Sequence, residues 1–399
     1  MMSTEWPLPQ IPEDRIIPFD LFDIQPVDGD LHAGWAEWHR RPEIFYTPLN
    51  GGHWVLTRAK EIYDVARDFE RFSHHGVALF RESHGERFIP GEIDPPDHAH
   101  YRSLLNPLLS PARVRVLEER TRALLNSLID GFIDDGECEF YAAVAKRMPI
   151  YNFLTFVNLP LGDADILLPY VEVIGRGSDP DAFQKALHFM QSYVEARIDE
   201  RITDPQDDFI SHLIHTEING RKLTVGEVRR TALNVMLGGL DTVSASMGFF
   251  INFLARHPDH RRQLIDDPSL NTEAVEELFR RHAVFNTGRL VKEDLDLNGT
   301  RFRKGDLVLL SGALHNLDER RFADPLSVDF GRKDKNHITF GVGIHRCLGS
   351  HFARLQLRVL LQEWLRRIPD FQIAPGEQIR AKSGRANTVL HLPLSWGAA

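Results

Sequence analysis

Residues Phe340 to Gly349 read Phe-Gly-Val-Gly-Ile-His-Arg-Cys-Leu-Gly and run directly into an amphipathic helix. No other stretch constrains the chain as tightly, because it sets one of only two cysteines, Cys347, among closely spaced glycines. A thiolate persists in a protein interior only beside something that balances its charge. The loop offers three such sources: backbone N–H groups freed by Gly341, Gly343 and Gly349, the positive end of the following helix, and a metal bound at the sulfur. A haem iron with one axial cysteine thiolate uses all three. An inert buried cysteine is the commoner fate of a lone Cys. That fate does not require three glycines, a Phe and a His at these offsets.

The rest of the chain sets limits around this loop. Its 399 residues contain no Gly/Ser tract, low-complexity block or internal repeat, so one domain over residues 1–399 is expected, with 1–14 as a flexible Pro-rich arm. A net charge of −10 argues against nucleic-acid binding. The first residues lack an apolar signal core and no run of eighteen apolar residues occurs, which predicts neither secretion nor a membrane span. Two cysteines give no disulfide framework, so the expected setting is a reducing cytoplasm, and the expected state a monomer.

Periodicity predicts a mainly α fold with small β-sheets. His53–Thr57 reads as a strand and Ala59–Asp68 as a short helix. Apolar residues recur at helical spacing over Pro111–Asp130, Ala182–Ile202 and Asp207–Ile218. Thr224-Val225-Gly226-Glu227 is a capping box that opens a long helix ending near His257. Glu273–His282 and Leu348–Arg367 are further helices, and Asn298-Gly299 turns a hairpin before the strand Leu307–Leu310. The tail from Phe371 to Trp396 alternates as short strands do.

Three further constellations carry chemistry. Leu237-Gly238-Gly239-Leu240-Asp241-Thr242 places two glycines inside the long helix, each destabilising by about 1 kcal/mol relative to alanine. Either a flat ligand approaches the backbone there or a neighbouring helix packs closely. Thr242 can bond the Gly238 carbonyl or open the ladder to water. Glu277 and Arg280 share a helical face at i,i+3, which alone is most often a solvated pair. His98 and Arg102, at i,i+4 after Asp94-Pro95-Pro96-Asp97, suit an anionic ligand, as do Arg289 and His345.

These segments occur in the order in which the cytochrome P450 haem-thiolate monooxygenases carry them, and the chain resembles that family along essentially its whole length. The helix with Gly-Gly-Leu-Asp-Thr resembles the oxygen-binding helix, Glu277 and Arg280 match the Glu-x-x-Arg pair, and Phe340–Gly349 matches the cysteine loop in full. The tail from Trp364 to Phe371, with Ala374-Pro375-Gly376 and Lys382-Ser383-Gly384, is similar to soluble bacterial camphor-hydroxylase-type members. The resemblance implies haem b as cofactor with Cys347 as its axial thiolate, Gly349 beside it and Gly238 against its other side. It implies that His98, Arg102, Arg289 and His345 hold the two propionates. Asp241 and Thr242 would pass protons through water to O₂ as it is cleaved. Glu277 and Arg280 would be a buried structural pair that braces the cysteine-bearing side and whose loss abolishes haem incorporation.

Helical spacing from Gly238 brings Asn234 and Leu237 to the substrate side, and Phe88 and Phe285 are candidates to line an apolar cavity. Asn234 has two open readings, a hydrogen bond to an oxygenated substrate or to a neighbouring backbone group. Camphor-type members hold their ketone with a tyrosine before the Asp-Pro-Pro segment. Here Glu86-Arg87-Phe88-Ile89-Pro90 has none, so camphor is not the expected substrate.

No flavin or iron–sulfur motif is present, since a cluster needs four cysteine ligands. The implied partner is an acidic [2Fe-2S] ferredoxin with its reductase; Arg102, Arg113, Arg346, Arg354 and Arg358 either form a local basic patch for its docking or, some of them, pair internally. The expected activity is hydroxylation of an unactivated C–H bond in a small terpenoid-like molecule, with O₂ and NAD(P)H-derived electrons. A peroxide-driven peroxygenase and a non-catalytic haem sensor are the rival readings. The Asp241–Thr242 pair argues against the first, and the want of an output module against the second.

Overall fold

A thirty-two-residue stretch, Val225–Arg256, forms the axis of the molecule. At 1.5 Å per residue it spans about 48 Å. A computed structural model describes residues 11–76, 86–177 and 179–397. The axis opens with the expected capping box: Thr224 Oγ1 accepts the Glu227 N–H at 3.2 Å, and Glu227 Oε2 accepts the Thr224 N–H at 2.8 Å. It is not one regular helix. Val225–Leu240 ends and Thr242–Arg256 begins around Asp241, whose φ of −124° leaves the helical range. The break lies where the chain passes between two cores. Before it, Val228, Leu233, Met236 and Leu240 pack with Phe153, Met190 and Leu213. After it, Met247, Phe250 and Leu254 pack with Phe140, Leu278 and Trp364. The stretch is apolar enough to cross a membrane, but its most apolar window is 72% buried, as befits a core helix.

Helices surround this axis and the strands are short. The largest sheet orders five strands as Ile44–Thr47, His53–Leu56, Leu307–Ser311, Asn286–Val291 and Phe72–Ser73. Leu309 pairs in parallel with Val55 and antiparallel with Gly288, which carries Arg289 into the interior. Asn298 and Gly299 both take positive φ (50° and 72°), the backbone a two-residue hairpin turn needs, and pair Leu297 with Thr300. Residues 1–10 of the expected arm lie outside those described; Glu13–Arg15 forms a turn and Ile17 N–H bonds the Tyr46 carbonyl at 2.9 Å.

Two helix expectations change. Pro111–Asp130 divides into Pro111–Arg115 and Glu118–Asp130. The turn at Val116–Leu117 lets Val114 join Leu109, Phe352 and Leu355 in a small cluster, while Leu125 and Ile129 face the main core. One straight helix cannot serve both. In 207–218 only Phe209–His215 is helical, and Ile218 belongs to a short hairpin with Arg221.

The Glu277–Arg280 pair is fully buried, as the resemblance implies and the spacing alone does not. Arg280 has five N–H donors and the fold supplies five acceptors: both Glu277 oxygens and the carbonyls of Asn316, Pro325 and Ser327. Glu277 Oε1 also accepts Arg332 Nε at 2.9 Å and the Asp329 N–H at 3.1 Å. Arg332 completes a triad that sequence spacing alone does not reveal. The neighbouring Thr339 hydroxyl bonds the Phe279 carbonyl at 2.7 Å, and Phe340 packs edge-on to Phe279 at 4.8 Å, so the brace reaches the first residue of the cysteine loop.

Glu277→Leu strands two buried guanidinium groups, and urea unfolding should show a loss of about 3–5 kcal/mol. Arg301→Ala, which removes the exposed partner of Asp294, should change stability by less than about 0.5 kcal/mol. Equal effects of the two substitutions would deny the buried triad its role.

Candidate functional site

The cysteine loop owes its shape to two left-handed glycines, Gly341 (φ 67°) and Gly343 (φ 75°), with Cys347 N–H bonding the Phe340 carbonyl at 2.7 Å. Of the three glycines expected to favour the sulfur, Gly349 presents its N–H to it, while Gly341 and Gly343 serve the turns. The Ser350–Arg367 helix starts directly after. Cys347 is open on one side, yet protein surrounds its sulfur densely elsewhere. That burial pushes the thiol above its usual range, against the Gly349 N–H and the charges of Arg102, Arg354 and Arg346. The protein alone therefore does not favour a thiolate here; a cation at the sulfur would.

The glycine pair in the axis divides the two tasks foreseen for it. A Cβ at Gly239 would lie 2.4 Å from the Phe153 ring, so that glycine admits the neighbouring Arg147–Val157 helix. A Cβ at Gly238 would meet nothing within 4 Å, and Gly238 is exposed between the buried Met236 and Leu240. An open face within a core helix suits a flat ligand. Thr242 Oγ1 donates to the Gly238 carbonyl at 3.2 Å, one turn further on. Asp241 points elsewhere. It is buried, its Oδ1 lies 3.1 Å from Ser244 Oγ, and its Oδ2 sits where a Cβ at Gly175 would be, 2.4 Å away.

Around the loop the fold gathers an unusual set of nitrogens. His98 and Arg102 share one helix face, as their spacing predicts, and Arg102 reaches the Arg346 carbonyl of the cysteine loop. Arg289 enters from the sheet, 5% exposed. His345 lies 4.1 Å from the His98 ring, and His74 lies 3.4 Å from the His345 ring. His74 was not foreseen; it stands in a turn with no spacing signal toward the others. Buried nitrogens on His74, His98, Arg289 and His345 lack a partner among the described residues. Burial pulls the Arg289 guanidinium down to about 9, with Asp94 opposing. It also holds all three imidazoles in their neutral form, Arg289 adding to the effect at His74 and His345. Such a pocket is built for anions, and haem b carries two carboxylates.

The candidate substrate residues fall partly together. Phe88 and Leu237 pack on the same core, and Asn234 Oδ1 lies 2.7 Å from where a Cβ at Gly91 would be. Gly91 thus makes room for the amide. Phe285, 43% exposed, lies apart on the sheet side, bridged to Ala386. Glu86 pairs with Arg229 of the axis. The basic patch is smaller than expected. Arg354 is held by Glu276 and Arg358 by Glu118, whereas Arg113 and Arg346 have no acidic partner within 4 Å among the described residues. A groove of about 1110 Å³ is lined by Arg67, Gly343, Arg346 and Arg354, and Cys347 is not among its lining residues.

Comparison with known proteins agrees with this geometry. The family model "Cytochrome P450" matches residues 175–394. A probable cytochrome P450 127A1 of Sinorhizobium fredii is 34% identical over 92% of this chain and 91% of its own length. A steroid C26-monooxygenase of Mycolicibacterium smegmatis is 30% identical over 88% and 90%. The crystal structure of CYP101J2 superposes with a TM-score of 0.90 at 36% identity, covering 98% of this chain and 99% of that one. That of CYP101C1 gives 0.88 at 34%, covering 97% and 99%. A haem-ready pocket, an open cysteine and these likenesses together make the chain a member of the cytochrome P450 family, the haem-thiolate monooxygenases whose haem b has an axial cysteine.

Proposed function

We propose that this monooxygenase hydroxylates an unactivated C–H bond of a small, hydrophobic, terpenoid-like molecule in the cytoplasm, as one domain and one subunit. The observation that carries the reading is the open Gly238–Thr242 face on an otherwise buried helix. A hydroxyl at the edge of a clear, flat space fits oxygen chemistry better than ligand sensing.

The haem, when bound, supplies O₂ activation and transfer of one oxygen atom to carbon, the other leaving as water. Cys347 would hold the haem iron through its sulfur, to which the Gly349 N–H donates. His98, Arg102, Arg289 and His345 would hold the two carboxylates. Thr242 holds a proton donor at the helix break, its hydroxyl turning between the Gly238 carbonyl and water. Asp241, on the other side of the break, accepts the Ser244 hydroxyl and supports that path from behind. Phe88 and Leu237 exclude water from the substrate, and Asn234 offers an amide to an oxygenated one. Glu277 and Arg280 keep the cysteine loop in register. Electrons reach the enzyme from NAD(P)H through a reductase and an acidic ferredoxin. Arg113 and Arg346, which have no acidic partner within 4 Å among the described residues, support docking of that ferredoxin.

Thr242→Ala should still consume NAD(P)H in the presence of its redox partners but divert much of it to hydrogen peroxide. Product formed per NAD(P)H then falls; unchanged coupling removes Thr242 from the proton path. Arg113→Glu with Arg346→Glu should weaken ferredoxin binding, measured by titration, and flatten its salt dependence. Unaltered affinity would move the docking face elsewhere.

A further inference from the structure

Within the haem reading, one buried histidine has no assigned task. His74 follows the Phe72–Ser73 strand, is 3% exposed, and neither ring nitrogen has a partner among the described residues. An imidazole buried with nothing to bond is costly unless a ligand completes it. Its ring lies face to face with His345, the planes 20° apart. The backbone around it is equally directed. His74 N–H bonds Asp94 Oδ1 at 3.1 Å, and the Ile93 carbonyl bonds the His345 ring. His74, Ile93 and Asp94 therefore all lie at these nitrogens.

His74, Asp94 and His345 offer ligand atoms within 4.8 Å of one another, so a metal ion is the alternative occupant. Two features oppose it. Rings stacked nearly parallel send their in-plane lone pairs side by side, whereas a tetrahedral ion needs them to converge. The Arg289 charge acts on both imidazoles and repels a second cation in a dry pocket.

We propose that His74 is a fifth anchor for the haem carboxylates, beside His98, Arg102, Arg289 and His345. The proposal rests on the haem reading above. A neutral imidazole donates one N–H to a carboxylate oxygen and asks for no change of charge. The three imidazoles thus bond the carboxylates while the guanidinium groups balance their charge.

Haem-loaded wild type, His74→Phe and His74→Gln are mixed with excess apomyoglobin and haem transfer is followed at the Soret band. Phenylalanine keeps the stacked ring without a donor, and glutamine keeps a donor. The phenylalanine variant should lose haem about tenfold or more faster, the ratio expected for one hydrogen bond to a charged group. The glutamine variant should stay near wild type, and all three should share one reduced CO-bound spectrum. His74→Ala supplies the same comparison if phenylalanine is not tolerated. Equal transfer rates with and without the donor would make His74 a packing residue and overturn the proposal. One equivalent of Zn²⁺ retained by wild type through dialysis and lost in the variants would also overturn it, in favour of a metal site. A wild-type protein that takes up no haem would overturn the haem reading itself, a result distinct from either.

Discussion

Buried nitrogens that the polypeptide does not satisfy are the constraint on which the rest of the structure turns. Five of them, on His74, His98, Arg289 and His345, lie around the cysteine loop, and a stable protein rarely leaves such groups without partners. Each of these four residues comes from a different element: the turn that follows Ser73, the helix after Pro96, the central sheet, and the loop itself. The fold must hold these elements around one space, and carboxylates entering that space would satisfy them together. Cys347 obeys the same logic on the neighbouring side. Its burial disfavours the thiolate until a metal cation arrives.

Rigidity near the loop comes from groups that are, by contrast, completely satisfied. Glu277 and Arg280 use each other, Arg332 and three backbone carbonyls, leaving no guanidinium donor idle. Thr339 and Phe340 transmit that order to the loop. On the facing helix the regular hydrogen-bond ladder is interrupted at Asp241, where the axis leaves one core for the other. A helix braced by packing on both sides of a break tolerates the break. The break in turn frees Thr242 and Asp241 to point in different directions.

Much of this is legible in the sequence, for physical reasons. The capping box at Thr224, the Asn298-Gly299 turn and the helix after Gly349 follow local rules, and the structure keeps them. The cysteine loop is legible because its glycines are required by left-handed dihedrals. What escapes is tertiary. That Glu277 is buried depends on Arg332, fifty-five residues later, and Gly239 is explained by Phe153 on another helix. Nothing around His74 betrays that it will stack on His345. The Pro111–Asp130 periodicity fails at Val116 because it averages over two faces that serve different cores.

The central claim, that an anion-ready pocket and an open cysteine together hold a haem by its thiolate, is tested most directly by the CO-bound spectrum of the reduced protein. Wild type should show the red-shifted Soret band of thiolate ligation, and Cys347→Ala should lose it. A wild-type band at the position typical of imidazole ligation, or a red-shifted band that survives the loss of Cys347, would contradict the account.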